Sequence, residues 1–362
     1  MVQKIFNFKS IKTAAFCSVL FIIAVLAACS KNDSNPPPPP DKTALQDSIT
    51  VATALHDNTV EGVKPGEYPA GSKATLQTAI DAAQAVYDDA ASTQGEITSA
   101  TANLHAAMDT YRGLVNTEIS AANLMGFWKF NGNPADSSGN GRDGAVMQGH
   151  AFYGAGTPVL TPDRFGRANM CYHFDKGGNI EVPYDVALNP QEITISLWCK
   201  KQVLGRTLNT DTYTLLSLNR WNGYKFQLQS TNKFFYTVHV TNGTDTTYYD
   251  RDDDVFSADT AVWYHAVVTF KAGEMDFYVN GDLVKSWTSP NLDAAFHPIT
   301  LINPINFVIG QDLPTSVYQT VDGDFQVAWG GFWTGDIDDV MFYNKALSGT
   351  QVKQIYDNQK TL

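Results

Sequence analysis

Apolar residues recur along this chain with two different periods, and the change falls near Ser120. From Thr43 to about Asn116 the spacing is helical. Leu45, Ile49, Ala52 and Leu55 form one stripe, and Leu76, Ile80, Ala83 and Tyr87 a second. Ile97, Leu104, Met108, Tyr111 and Val115 form a third. Gly62, Pro65, Gly66 and Pro69 interrupt between the first two stripes. Thr93-Gln-Gly-Glu96 reads as a capping box, and Ser72 is placed to cap the second helix. Three amphipathic helices of this size predict a small antiparallel bundle, with His56 and His105 at its surface.

After Ser120 the period becomes two. "GFWKF", "NIEVPY", "EITISLWCK", "TYTLLSL", "YKFQLQS", "KFFYTVHV", "WYHAVVTF", "MDFYVNG", "FVIG" and "DIDDVMFYN" alternate in polarity and are separated by Gly, Asn and Asp. No helical pattern of useful length intervenes before "LSGTQVKQIY" near the end. Asn280-Gly281 predicts a type I′ hairpin. So many short strands predict one large sandwich or jelly roll.

The first residues follow neither pattern. Lys4, Lys9 and Lys12 accompany an apolar run from Ile11 to Leu26, and no acid precedes Asp33. Residues 1–28 therefore read as a signal peptide, its apolar part too short for a spanning helix. Leu26-Ala27-Ala28-Cys29 resembles a bacterial lipobox, which implies acylation of Cys29 and a membrane anchor. Residues 29–42 form a linker in which Pro36 to Pro40 predict a stiff polyproline II spacer. Its Ser-Lys-Asn-Asp stretch resembles the export signal of Bacteroidetes lipoproteins, which implies the outer membrane, facing the exterior.

Composition adds a boundary. The 362 residues are 43% hydrophobic and 17% charged, suited to two folded units. Removal of the three leader lysines leaves 22 basic side chains against 37 acidic, a net charge of −15. No basic patch for nucleic acid is present. Cys171 and Cys199 lie in strand-like segments, where either a disulfide or two buried thiols fits an exported protein.

Two family resemblances follow from these segments. "YPAGSKATLQTAIDAAQAVYDDAASTQGEITSATANLHAAM" resembles the FIVAR bundle of bacterial surface proteins, covering 43–118 and implying a spacer or weak binder. "GFWKFNGNPADSSGNGRDG", "DRFGRANMCYHFD", "EITISLWCK", "WYHAVVTFKAGEMDFYVNG" and "GDIDDVMFYNKALSGTQVKQIY", in that order, resemble a laminin-G-like domain of the concanavalin A-like superfamily, covering 124–362. The fold implied is an all-β jelly-roll sandwich preceded by a small three-helix bundle, with the first and last strands side by side.

That adjacency would bring Asp136 of the Gly-rich loop toward Asp338. Related domains often hold one Ca²⁺ near this edge. The resemblance thus implies a structural calcium with Asp136, the carbonyls around Gly139 and Asn140, and Asp338 as ligand candidates. The alternative is a bare turn, since Asp-Ser-Ser-Gly and Asn-Gly turn well without metal. The acidic "RDDDV" from Arg251 to Val255 reads as a solvated loop.

Laminarinase-like relatives carry Glu-x-Asp-x-x-Glu, but here Glu274 and Asp276 are followed by Val279, so the second glutamate of a retaining pair is missing. A hairpin strand is expected rather than an enzyme. Between Gly310 and Gly335 an insert crowds Tyr318, Phe325, Trp329, Phe332 and Trp333 among Asp322, Asp324 and Gln326. Exposed aromatics beside acids and amides suit sugar rings. Trp221 and Tyr224, with Tyr248 and Tyr249, form a second candidate group, whereas Trp128, Trp198 and Trp263 read as core. The expected function is a surface-anchored, non-catalytic lipoprotein that binds a glycan, in polysaccharide capture. Two other classes remain open: a protein-binding adhesin or structural outer-membrane lipoprotein, with other surface proteins as partners, and thirdly a glycoside hydrolase.

Overall fold

The computed structural model describes residues 38–202, 213–301, 304–320 and 330–361. Three helices come first: α1 (Thr43–Asp57), α2 (Ser72–Asp88) and α3 (Gln94–Gly113). Their stripes meet in one core that includes Leu45, Leu76, Ile80, Ile97, Leu104 and Met108. The capping box forms, with Thr93 Oγ1 accepting from the Glu96 N–H and Glu96 accepting from the Thr93 N–H. Ser72 does not cap α2. That position falls to Gly71 at φ 86°, and Ser72 is already helical.

Two antiparallel sheets of eight strands follow. The first runs β13 (Asp282–Thr288), β12 (Glu274–Val279), β11 (Trp263–Lys271), β6 (Ile193–Lys201), β16 (Gly335–Tyr343), β4 (Cys171–Phe174) and β3 (Val159–Thr161), with β1 (Leu124–Trp128) also on β16. The second runs β10 (Thr246–Asp252), β9 (Phe234–Thr241), β8 (Tyr224–Leu228), β7 (Tyr213–Leu218), β15 (Phe307–Ile309), β5 (Asn179–Val182) and β2 (Ala145–Met147), with β14 (His297–Pro298) on β9. The first and last strands do pair, Trp128 opposite Val340. Strands β2, β3, β10 and β14 have no counterpart among the segments read from the sequence; three of them are three residues or fewer.

Alternation decides what each strand buries. Tyr224, Phe226 and Leu228 of β8 and Tyr236 and Val238 of β9 enter the core, where they meet Ile195 and Leu197 of β6 and Phe277 of β12. Each such side chain contributes about 1.5–3 kcal/mol on burial. The residues between them face outward, and the two outer faces differ. Asn280 (φ 53°) and Gly281 (φ 82°) close the hairpin between Val279 and Asp282, as the sequence predicts.

Outside the first sheet lies α5 (Gly349–Gln359), while the short α4 (Thr315–Thr320) stands in the insert before β16. Helix α5 is held by a capping box between Ser348 and Gln351. Its Val352 and Ile355 pack on Val267, Tyr278 and Tyr343. Of the two states open to Cys171 and Cys199, the structure has buried free thiols.

Candidate functional site

The Gly-rich loop after β1 seals a strand edge. Strand β1 pairs with β16 on one side only, so its other edge needs partners. Asp136 accepts the Phe127 N–H at 3.0 Å, and the Ser137 N–H donates to the Phe127 carbonyl at 2.7 Å. Asn140 Nδ2 donates to the Leu124 carbonyl and Arg142 to that of Met125, both at 2.7 Å. Gly139 and Gly141, at φ 89° and 72°, let the loop fold back far enough to do this.

Of the residues expected to hold calcium, both acids are engaged by protein donors. The Asp136 carboxylate takes donors from Phe127, Ser138 (backbone and hydroxyl) and Arg142. Burial pushes its carboxyl up, but the bonds from Ser138, Phe127 and Arg142 prevail and hold it below the usual range. Asp338 is not its neighbour. Asp136 bridges to Trp128, whose opposite edge pairs Val340, so strand β1 stands between loop and β16. Asp338 instead receives the Arg164 guanidinium at 2.6 Å, and Asp339 receives it at 2.7 Å. Four protein donors on one acid and an arginine on the other do not fit a shared divalent cation. Among the described residues no cluster of three or more His, Cys, Asp or Glu is placed to hold a metal.

The insert also departs from expectation. Trp333 is fully buried in the inter-sheet core, edge-on to Tyr213, and Phe332 is buried against Tyr153. Tyr318 is buried as well, its hydroxyl donating to Asp312, which also pairs with Arg220 at 2.6 Å. None of the three presents a ring to solvent, because each fills space between or beside the sheets. Trp329, Asp322 and Asp324, with Phe325 and Gln326, lie outside the described residues, as does Cys29.

In the second candidate group, Tyr224 is a core residue; its hydroxyl donates to the Leu188 carbonyl at 2.6 Å. Trp221 is half-buried in the short turn between β7 and β8, with Arg220 at 5.0 Å and Lys225 at 5.5 Å from its ring centre. Tyr248 is 45% exposed and stacks on His239 of the neighbouring strand at 4.4 Å, whereas Tyr249 turns inward.

Trp221 and Tyr248 flank a polar row on the outer face of the second sheet. Register places Glu181, Val308, Ser217, Lys225, Thr237 and Asp250 side by side across six strands. The next row holds Thr214 and Gln227. Thr237 donates to Asp250 at 2.6 Å. Lys225 is only 7% exposed, and among the described residues its ammonium has only the Trp221 ring for company. Thr214 Oγ1 and Gln227 Oε1 are buried without a partner. Burial holds the Lys225 ammonium below the usual lysine range, opposed by Asp312 and Asp250 and assisted by Arg220. A desolvated donor with no acceptor costs free energy in the unliganded protein, which an oxygen-rich ligand would recover.

Lys225, Gln227 and Thr214 escape a search for motifs. Their only signal is the alternation in "YKFQLQS", where outward positions are polar; their burial depends on distant chain. Asp253, in the loop read as solvated, is buried and accepts from the Phe234 and Phe256 N–H groups. Glu274 and Asp276 stand on the outer side of the first sheet, Glu274 paired with Lys271 at 3.0 Å.

Comparison with known proteins gives the following. Residues 174–353 match the model of the concanavalin A-like lectin/glucanases superfamily, and residues 41–111 that of the FIVAR domain. A gellan lyase of Bacillus sp is 41% identical over 87 residues, 24% of this chain; the match spans 4% of that protein. Domain 4 of AbnA, a GH43 extracellular arabinanase from Geobacillus stearothermophilus solved with arabinotriose, aligns with 65% of this chain and 98% of its own, at 19% identity and a TM-score of 0.45. The binding domain of Paraclostridial Mosquitocidal Protein 1 aligns with 65% of this chain and 52% of its own, at 16% identity and a TM-score of 0.46.

Proposed function

We propose, for a chain that carries a FIVAR domain followed by a concanavalin A-like lectin/glucanases domain, that the outer face of the second sheet binds a glycan without cleaving it. The observation that carries this reading is Lys225, a largely buried lysine beside Trp221 whose ammonium has no acceptor among the described residues. A sugar hydroxyl or ring oxygen supplies what it lacks. Gln227 and Thr214 offer further polar contacts, and the rings of Trp221 and Tyr248 offer apolar surface for a pyranose or furanose face.

Binding rather than hydrolysis is supported by the placement of acids. The pair with glucanase-like spacing, Glu274 and Asp276, is on the other sheet, and Val279 stands where a second glutamate is required. On the proposed face Asp312 is tied to Arg220, Asp250 accepts from Thr237, and Glu181 accepts from Asn306 and the Thr315 N–H.

The test is a glycan array followed by calorimetry on a responsive sugar. Trp221→Ala should weaken binding by about 1–3 kcal/mol with the melting temperature nearly unchanged. Release of reducing ends from that glycan would turn the reading toward an enzyme. Equal affinity in wild type and Trp221→Ala would remove this face from consideration. Anchorage through Cys29 at the outer membrane, facing outward, belongs to the same proposal. Cys29→Ala should leave the membrane fraction or accumulate as precursor, and unchanged fractionation would refute the anchor.

A further inference from the structure

Beyond the end of α5, the first sheet carries an open row that none of the preceding chemistry uses. Register aligns His173 of β4, Asp336 of β16, Lys200 of β6 and Trp263 of β11 as successive cross-strand partners. All four face outward, since their neighbours Phe174, Ile337, Cys199 and Tyr264 enter the core. One step along the same strands lie Asp338, Trp198 and His265, and these are covered. Trp198 stacks on Tyr356 of α5 at 5.8 Å, and Arg164 reaches the Gln359 carbonyl at 2.9 Å. Where that cover stops, a cleft of about 340 Å³ opens, with Thr161, Lys201, Gln202, Ala261 and Gly335 completing its wall and Trp263 outside the lining, beside Lys200. That volume lies at the small end of ligand pockets, which run about 300–1,000 Å³.

The polar groups of this cleft are pre-set. Asp336 accepts from His173 Nδ1 at 2.7 Å and from Lys200 at 2.6 Å. Its carboxyl is raised by burial but held low by those two bonds and by their charge. In the neutral imidazole the proton then sits on Nδ1, so Nε2 is an acceptor. The Lys200 ammonium spends one donor on Asp336 and keeps others for the cleft, and it lies 5.1 Å from the ring centre of Trp263. A fixed acceptor, a fixed donor and a half-buried indole thus stand in one line. The positive charge of Lys200 is already met by Asp336, and Lys201 turns its ammonium to Asn232 and the Tyr213 ring. The cleft therefore has little to attract an anion.

We propose that this cleft is a second saccharide site, on the opposite side of the sandwich from the first, and that it takes one neutral sugar ring through adjacent hydroxyls. One hydroxyl accepts from Lys200, its neighbour donates to His173 Nε2, and the C–H face of the ring lies on Trp263. Two sites on opposite faces give the protein the means to engage two chains, or two stretches of one chain, at once.

The experiment is an NMR titration of the intact chain with glucose, galactose, mannose and arabinose at millimolar concentration, following the imidazole signals. At least one sugar should move the His173 signal, assigned through His173→Gln. The double variant K200M/D336N, which removes both charges together and strands neither, should lower that affinity by about tenfold or more. Should that variant fail to fold, Trp263→Leu at the rim carries the same expectation. Trp221→Ala, on the other sheet, should leave the His173 response intact, so that the two sites fail or stand separately. A His173 signal unmoved by all four sugars, or wild-type affinity in the folded variant, overturns the proposal.

Discussion

On the first sheet the outward positions under α5 include the large apolar side chains Val267, Tyr278, Met341 and Tyr343, beside the covered Trp198, His265 and Asp338. On the second sheet the equivalent positions of β7, β8 and β9 are Thr214, Ser217, Lys225, Gln227 and Thr237, and among the described residues no long helix packs there. Both faces are built by the same alternation, and both sheets present their other side to one shared core. The difference lies in what the outward residues need. An apolar outward row is completed by the chain itself, through a helix that buries it. A polar outward row that is nonetheless largely buried, with Thr214 Oγ1 and Gln227 Oε1 unpartnered among the described residues, has groups that the proposed glycan would satisfy. The first sheet shows the transition within a few residues, since the row under α5 is covered and the row beyond it is an open charged cleft.

The sharpest way to break this division is to ask whether the aromatics of the insert belong to the core or to a surface. Trp333 is fully buried between the sheets, so Trp333→Ala should cost about 3–5 kcal/mol, read as a fall in denaturation midpoint. Little loss of stability with a loss of glycan binding would return this residue to the ligand surface. The covered face has its own probe. Ile355 of α5 is buried on the outer side of the first sheet, so Ile355→Ala should cost about 2–5 kcal/mol while affinity at Trp221 stays constant. A fall in affinity of matching size would mean that the two faces are coupled and the comparison is too simple.

Much of the architecture was legible before the structure. The strands read from alternation are all present, because a half-buried strand declares its period in its own residues. Strands such as β2 and β14 escape, since two or three residues hold no period and are strands only through the partner they pair with. The site was far less legible. "DSSGNGRDG" looks like a metal loop or a turn in sequence alone. Only the discovery that β1 has an unpaired edge shows that its oxygens are spent on backbone N–H groups. Asp136→Ala, which strips four donors of their acceptor, should therefore cost about 1–3 kcal/mol. The wild-type melting temperature should be the same in calcium and in EDTA. A calcium-dependent midpoint that vanishes in Asp136→Ala would restore the metal reading. Similarly, nothing in "GGFWTG" distinguishes an aromatic that plugs the sandwich from one that meets a sugar, since both demand a large ring near the sheet end.

The smallest expected effect is the most diagnostic, because its sign is unusual. Truncating a buried side chain normally destabilises, but Lys225 is a largely buried charge with no acceptor in contact among the described residues. Burial lowers its affinity for a proton relative to the unfolded chain, where the ordinary value of 10.5 applies. Below the lowered folded value both states are protonated, so the folded state carries the whole desolvation cost. As pH rises past the lowered folded value, the folded protein sheds its proton first and that cost fades, so stability climbs with pH up to about 10.5. Lys225→Met keeps the length of the side chain and removes the charge. It should raise stability at neutral pH by roughly 1 kcal/mol, flatten the alkaline slope, and weaken glycan binding in the same protein. A surface lysine would show none of the three. A lysine that serves the fold would show a loss of stability with unaltered affinity, and the second sheet would then be a packed face like the first. Gain in stability joined to loss of binding is the pattern expected of a residue kept in an unfavourable place for the sake of a ligand.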